Sequence, residues 1–261
     1  MDVGSTSFFH SGNRDPCRYQ TVLRFSLMAL LVLVPTVCGA EGSSAHPSWL
    51  RTFYRTQDLR PFDGYWTEIM EQAVLADRNQ SEPIVAFVSQ LLKRNPALVR
   101  THFVALAAYP PMQREAVARI LALSETPEGR SRLREAGRST LANRTPPPIA
   151  GYPVREAVDL DFCWGWFFAT GDQKALDPIV GALDLAPFAG GRERFATSAR
   201  TSGDRLAARR DAVYAAATRS LTANVRADPF IARHLESLLR DPRTPPTRAA
   251  ALAEILKAAR L

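Results

Sequence analysis

The sequence predicts an all-α protein on three observations. From residue 63 onward, apolar side chains recur with the period of an amphipathic helix. Asn-Pro, Asp-Pro and Pro-Pro pairs separate these periodic blocks at points where helices end or begin. No alternating stretch is long enough to build a sheet. We therefore expect about nine or ten helices, arranged as a bundle or a short solenoid of stacked helical hairpins without a β-sheet domain.

Residues 63–144 contain the first group of predicted helices. The apolar residues of 84–92 lie on one face of a helix that Asn95-Pro96 ends. The next segment, which runs to Pro110-Pro111, is apolar over most of its circumference and is predicted to be a central helix. A later helix is expected from Pro127 to about Leu141.

The segment Thr145–Pro148 divides the helical domain. Three consecutive prolines cannot continue a helix, so the domain of residues 63–261 is predicted to have two lobes, 63–144 and 149–261. The second lobe begins with a long apolar helix, Pro153–Thr170, closed by Gly171. Further helices are predicted over 205–225, 229–240 and 247–259. Residues 186–204 have no period and are expected to form a long mobile loop.

The first forty residues have the pattern of a secretory signal peptide. Arginines at 14, 18 and 24 precede the apolar run Phe25–Val37, which is shorter than the roughly 20 residues of a membrane-spanning helix. Small residues predict cleavage after Ala40 or Ala45. A permanent membrane anchor and a lipid anchor at Cys38 are the alternatives. The mature protein is thus expected to be periplasmic or secreted, with no transmembrane helix, and residues 41–62 are predicted to be an N-terminal extension.

Net charge is positive before and after this cleavage. Removing residues 1–40, with three arginines and two aspartates, lowers the formal charge from +7 to +6. A composition rich in Arg, Ala and Pro is also typical of a GC-rich genome, so the charge by itself does not identify a partner. If a partner uses it, export favours an anionic envelope surface over nucleic acid. The candidate residues for that surface are Arg192, Arg194, Arg205 and Arg209.

The segment 159–172 (DLDFCWGWFFATGD) contains the candidate ligand-binding residues. On a helix, Asp161, Trp164 and Gly165 share a face, which brings a carboxylate among aromatic rings where it needs a partner. A glycine inside a helix is explained by the close approach of a neighbouring helix or of a ligand. The segment is therefore either a core helix with its C-terminal cap or a ligand pocket built from Asp161, Trp164, Gly165 and Trp166.

The same segment carries a resemblance. Asp161, the Trp-Gly-x-Phe-Phe-Ala-Thr-Gly-Asp run that begins at Trp164, and the Leu- and Ile-rich stretch Leu176–Leu183 resemble a family of exported all-helical proteins of Gram-negative bacteria with no assigned activity. The resemblance covers only this part of the chain. It implies a helical fold and no particular reaction.

No catalytic group, metal site or cofactor is predicted. The histidines are far apart in sequence, and Cys163 lies in the most apolar helix, where it is expected to be a small buried hydrophobe. The leading hypothesis is a non-enzymatic binding or scaffold protein of the cell envelope, whose partner is another envelope protein, a peptide or an anionic envelope polymer. The alternative is a hydrolase acting on envelope polymers through paired carboxylates. Its candidate site is either the acidic and aromatic residues of Tyr65–Glu71, with Glu68 and Glu71 beside Tyr65 and Trp66, or those of Asp161–Trp166.

Overall fold

A computed structural model describes residues 46–188 and 201–260. Within these ranges there are twelve α-helices and no strand, which confirms the all-α prediction. The helices are α1 His46–Thr56, α2 Phe62–Glu71, α3 Arg78–Arg94, α4 Ala97–His102, α5 Arg114–Ser124, α6 Pro127–Glu135, α7 Ser139–Ala142, α8 Ala157–Thr170, α9 Asp177–Gly181, α10 Ser202–Ala227, α11 Pro229–Arg240 and α12 Pro246–Arg260. Five short 3₁₀ segments connect some of them.

Several predicted boundaries coincide with the observed ones because a local side chain or glycine sets them. The Asp228 side chain accepts a hydrogen bond from the backbone N–H of Phe230 at the start of α11. Gly171 adopts a positive φ of 69° and ends α8. In contrast, α8 begins at Ala157 and not at Pro153, because the Asp159 carboxylate accepts the backbone N–H groups of the two residues that precede the helix.

Other helices are shorter than predicted. The helix that was expected to reach Pro110 ends at His102, since Phe103 takes an extended backbone and buries its ring. The helix expected to reach Leu141 ends at Glu135, and Gly137 adopts a positive φ of 73° before α7 begins. The loop predicted over 186–204 is wrong at its two ends, because residues 186–188 belong to a 3₁₀ segment that ends at Phe188 and α10 starts at Ser202. Residues 189–200 of that loop lie outside the described residues.

Helix α1 lies in the segment predicted to be an N-terminal extension. Its Trp49 and Phe53 side chains are buried and pack edge-to-face against Phe87 of α3. The Tyr54 hydroxyl donates a hydrogen bond of 2.6 Å to Asp228 at the start of α11, and Arg55 pairs with the same carboxylate. The helical domain therefore includes α1, whose far end is tied to the C-terminal helices.

Helices α3 and α8 form the centre of the protein. Their contact is the most extensive between any two described helices; α5 packs on α3, while α1 and α10 pack on α8. Beyond these, α6 packs against α5, and α12 packs against α10 and α11. Because α3 belongs to the first predicted lobe and α8 to the second, the buried side chains of both lobes join in one hydrophobic cluster.

The contact between α3 and α8 depends on a glycine. A Cβ atom on Gly165 would lie 2.1 Å from the backbone carbonyl oxygen of Pro83, a separation that van der Waals radii forbid. The predicted close approach of a neighbouring helix at Gly165 is therefore present, and that helix is α3. A proline inside α3 lacks an N–H donor, so one turn of its hydrogen-bond ladder is already incomplete at this point.

The predicted signal peptide, residues 1–40, lies outside the described residues. Among the helices that are described, none combines the length and the apolar character that a bilayer crossing requires.

Substitution of Gly165 by alanine should destabilise the protein strongly. The new methyl group must push α3 and α8 apart, and overpacking of this kind costs about 3 kcal/mol or more when backbone atoms block relaxation. Chemical denaturation measures the effect. Gly181→Ala at the end of α9 is the matched control, because a Cβ there meets no atom within 4 Å. Equal stabilities of the two variants would contradict the proposed packing role of Gly165.

Candidate functional site

A cleft of about 540 Å³ lies between the end of α5, the proline segment, the start of α8 and the start of α10. Its volume is within the range of small-molecule binding sites. Five arginines, two carboxylates and a set of apolar residues line it: Arg78, Arg119, Arg144, Arg155, Arg209, Glu156, Asp159, Ala122, Leu123, Leu141, Pro146, Pro147, Tyr152, Pro153 and Phe162. The segment predicted to be a boundary between lobes therefore forms part of the cleft wall.

A buried carboxylate, Glu82, anchors two of the arginines. Glu82 lies in α3 with only 1% of its side chain exposed, and Arg119 of α5 donates to both of its oxygens at 2.6 and 2.7 Å. Arg78, one helical turn earlier, donates to the same carboxylate at 3.2 Å. A buried carboxylate without such partners would carry a large desolvation cost. Glu82 therefore holds the Arg119 guanidinium through two hydrogen bonds and the Arg78 guanidinium through one, at the side of the cleft.

Arg78 also faces two further carboxylates. Its guanidinium lies 3.6 Å from Glu156 and 3.6 Å from Asp159. The Asp159 carboxylate accepts hydrogen bonds from the backbone N–H groups of Arg155 and Glu156, at 2.7 and 2.9 Å. Arg155 lies four residues before Asp159, a spacing that favours a side-chain ion pair on a helix, but the contact is made by the Arg155 backbone amide. The Arg155 side chain lines the cleft.

The other three arginines of the cleft are solvent-exposed. Arg144 follows α7, Arg155 precedes α8 and Arg209 lies in the second turn of α10. Across residues 46–188 and 201–260, no carboxylate pairs with these three guanidinium groups. They are therefore available to an anion that enters the cleft.

An aromatic pair supports the wall between the arginines. The Tyr152 and Phe162 rings stack with centroids 4.4 Å apart and planes inclined by 10°. Phe162 is buried and Tyr152 half-buried. Burial, together with the nearby charges of Glu82 and Asp159, raises the pKa of the Tyr152 hydroxyl, so Tyr152 stays protonated at neutral pH and can donate a hydrogen bond.

The predicted ligand-binding residues of α8 occupy two different environments. Trp164 is 1% exposed and stacks on Phe168, while Gly165 is enclosed in the contact with α3. Trp166 is half-buried and packs near Phe162. A ligand could reach Trp166 from solvent, whereas Trp164 and Gly165 are covered by the protein itself.

Asp161 is half-buried, and its carboxylate makes no hydrogen bond to any described residue. Burial, and next the charge of Glu82, raises its pKa to about 7. The sequence predicts a hydroxyl, an indole N–H or an arginine from another helix as the partner of this carboxylate, and none is found in the described part of the chain. Asp161 is thus a carboxyl group whose charged form is disfavoured by its surroundings.

Of the four arginines predicted to bind an anionic surface, two lie in the described part of the chain. Arg209 lines the cleft, and Arg205 is exposed one helical turn earlier in α10. Arg192 and Arg194 lie outside the described residues.

The first of the two sites named for the hydrolase alternative, Tyr65–Glu71, lies away from the cleft on α2. Tyr65 and Trp66 are each 6% exposed, and the Trp66 ring lies 4.6 Å from the ring of Phe103 in the core. Glu68 accepts a hydrogen bond from Gln72, and Glu71 is exposed. The two aromatic rings therefore offer no open platform to a sugar ring.

Cys163 is fully buried, which confirms its predicted character as a small hydrophobe, and burial raises the pKa of its thiol. In the ranges that the structure covers, no group of three or more His, Cys, Asp and Glu side chains is placed to hold a metal ion.

The sequence missed most of the cleft because its residues come from distant segments. No pattern in the sequence identifies Arg78, Arg119 or Arg144 as site residues, because each is an isolated cation in its own helix or loop. Glu82, which holds Arg78 and Arg119, gave no signal in the sequence, because the burial of α3 on all sides from Ser81 to Leu92 apart from Pro83 is visible only in the structure. A carboxylate in such a helix requires a cation from another helix.

Comparisons of the chain with protein-family models, with curated proteins and with solved structures find no match.

Asp161→Asn should stabilise the protein increasingly as pH rises. With a pKa near 7 in the folded state and about 3.9 when unfolded, Asp161 binds its proton more tightly in the folded protein. Wild-type stability is therefore lost as pH rises from about 4 through 7. The advantage of the asparagine variant should grow by about 1–2 kcal/mol between pH 5 and pH 8, a value discounted for solvent access.

Urea denaturation at the two pH values measures this difference. Glu254→Gln, which changes an exposed carboxylate on α12, serves as the control and should show the same offset from wild type at both pH values. An offset for Asp161→Asn that stays constant with pH would contradict the assignment.

Proposed function

We propose that the protein is an exported, non-enzymatic binding protein of the cell envelope that holds an anionic ligand in the arginine-lined cleft. One observation carries the proposal. Five guanidinium groups line a single cleft, and three of them have no carboxylate partner among the described residues. Cations that are exposed in a concave site and left unpaired favour a negatively charged ligand.

The choice of arginine supports recognition of a carboxylate or a phosphate. A guanidinium presents several N–H donors in a fixed plane and pairs with either group through two parallel hydrogen bonds. Arg119 already makes such a two-point contact with Glu82, so this geometry occurs within the site. A ligand oxyanion at the free arginines would repeat it.

The chemistry of the cleft supports binding over catalysis. Arginine remains protonated at physiological pH and cannot act as a general base. The carboxylates that line the cleft or anchor its arginines, Glu82, Glu156 and Asp159, each form an ion pair with Arg78. The cleft arginines can therefore hold and orient an anion, while the carboxylates are engaged by Arg78.

Loss of Arg209 should weaken binding of an anionic probe. The fluorescent sulfonate 8-anilinonaphthalene-1-sulfonate carries one negative charge and gains fluorescence in a shielded site. Arg209→Ala should raise its dissociation constant about tenfold, because one charge-assisted contact is lost. Fluorescence titration at low salt measures the constant, and added salt should weaken binding to the wild type.

The matched control is Arg219→Ala. Arg219 is exposed on the same helix, α10, but does not line the cleft. Its removal alters the net charge by the same amount and should leave the titration unchanged. Equal effects of the two variants would show that the probe responds to net charge alone, and the proposed site would then be wrong.

Export predicts a defined mature N-terminus. Since Trp49 and Phe53 of α1 are buried in the core, cleavage has to occur before His46, and both predicted positions, after Ala40 or after Ala45, satisfy this. Intact-mass measurement of the protein recovered from a periplasmic fraction tests it. Recovery of the uncleaved chain from the cytoplasm would contradict export while leaving the cleft proposal open to its own test.

A further inference from the structure

The cleft has a second chemical character besides charge. Ala122 and Leu123 at the end of α5, Leu141 in α7 and Tyr152 pack against the core but remain partly exposed. All four line the cleft. Partly exposed apolar side chains therefore line the same cleft as Arg144, Arg155 and Arg209.

Rigid groups extend this apolar surface. Phe162 lies beneath Tyr152 in a parallel stack, and Pro146 and Pro147 line the same cleft. Proline has no backbone N–H, so this part of the wall offers few hydrogen-bond donors to a polar ligand. An apolar group placed here would displace water from carbon surface and gain free energy in proportion to the area buried.

We propose that the ligand is an anionic amphiphile, an alkyl chain that ends in a phosphate or carboxylate group. The head group binds Arg144, Arg155 and Arg209, and the chain lies against Leu123, Leu141 and the Tyr152 ring. This inference rests on the proposed function and specifies its ligand class. A small hydrated anion would use only the arginines, and an uncharged chain only the apolar wall, whereas an amphiphile satisfies both.

Competition against the sulfonate probe tests the ligand class. Inorganic phosphate, butyl phosphate, octyl phosphate and octanoate are titrated below their micellar concentrations, with octyl glucoside as the uncharged chain. Affinity should rise about threefold to fourfold for each methylene that the cleft buries. The rise should stop when the chain outgrows the cleft of about 540 Å³. Octyl glucoside should compete much more weakly than octyl phosphate.

A variant in the apolar wall separates the chain from the head group. Leu123→Asn should weaken octyl phosphate at least tenfold and leave inorganic phosphate unchanged. Leu239→Asn is the matched control, because Leu239 is also a partly buried leucine packed on the core but lines a different groove, between α11 and α12. Thermal melting of both variants verifies that they are folded. If Leu123→Asn does not fold, the dependence on chain length in the wild type decides the question.

The outcomes distinguish the two proposals. Equal competition by inorganic phosphate and octyl phosphate would refute the amphiphile while the anion site stands. Equal competition by octyl phosphate and octyl glucoside, with no effect of Arg209→Ala, would refute both. Preference for octyl phosphate over octanoate identifies a phosphate head group, and the reverse identifies a fatty acid; either result supports the inference.

Discussion

The contact of Gly165 with the Pro83 carbonyl is the constraint on which both the fold and the cleft depend. It allows α3 and α8 to approach more closely than any side chain would permit, and the other long helices pack around this pair. Glu82 directly precedes Pro83, and Asp159 and Asp161 lie in the first half of α8. The same approach therefore brings three carboxylates close together at the start of both helices. Like charges in a partly buried place raise the cost of ionisation, and the structure meets this cost with Arg78 and Arg119 at Glu82 and with a raised pKa at Asp161.

Much of the fold could be predicted because residues close in sequence determine where several helices begin and end. An aspartate before proline at 228–229, a glycine in the left-handed conformation at 171 and Asn95-Pro96 each set a boundary that needs no distant residue. The prediction was weaker where packing decides. Helix α1 was assigned to an extension because the helical period was recognised only from residue 63 onward, yet Trp49 and Phe53 pack against Phe87. The burial of α3 on all sides was also not foreseen, since polar Ser89 and Gln90 interrupt its apolar pattern and are buried all the same.

The candidate site was less predictable than the fold, for a geometric reason. Its arginines come from α3, α5, α10 and two loops, and no sequence period connects positions 78, 119, 144, 155 and 209. Of these arginines, only Arg209 was predicted from the sequence to bind an anionic surface, and the proline segment was predicted as a boundary between lobes and not as part of the cleft wall. The distinctive residues of α8 attracted attention because tryptophan and glycine are conspicuous in a helix. Gly165 serves the helix contact and Trp164 is buried against Phe168, whereas the neighbouring Asp159 and Phe162 line the cleft.

The arginines of the cleft divide into those held by carboxylates of the protein and those with no carboxylate partner among the described residues. Arg119 is held by two short hydrogen bonds to a carboxylate that is almost fully buried, so its position does not depend on a ligand. Arg78 is intermediate, because its contacts with Glu156 and Asp159 are long, at 3.6 Å, and its side chain is 61% exposed. An entering anion could draw Arg78 away from those two groups at small cost, since exposed ion pairs contribute little. The Arg119–Glu82 ion pair supports the cleft wall, and Arg144, Arg155 and Arg209 attract the anion.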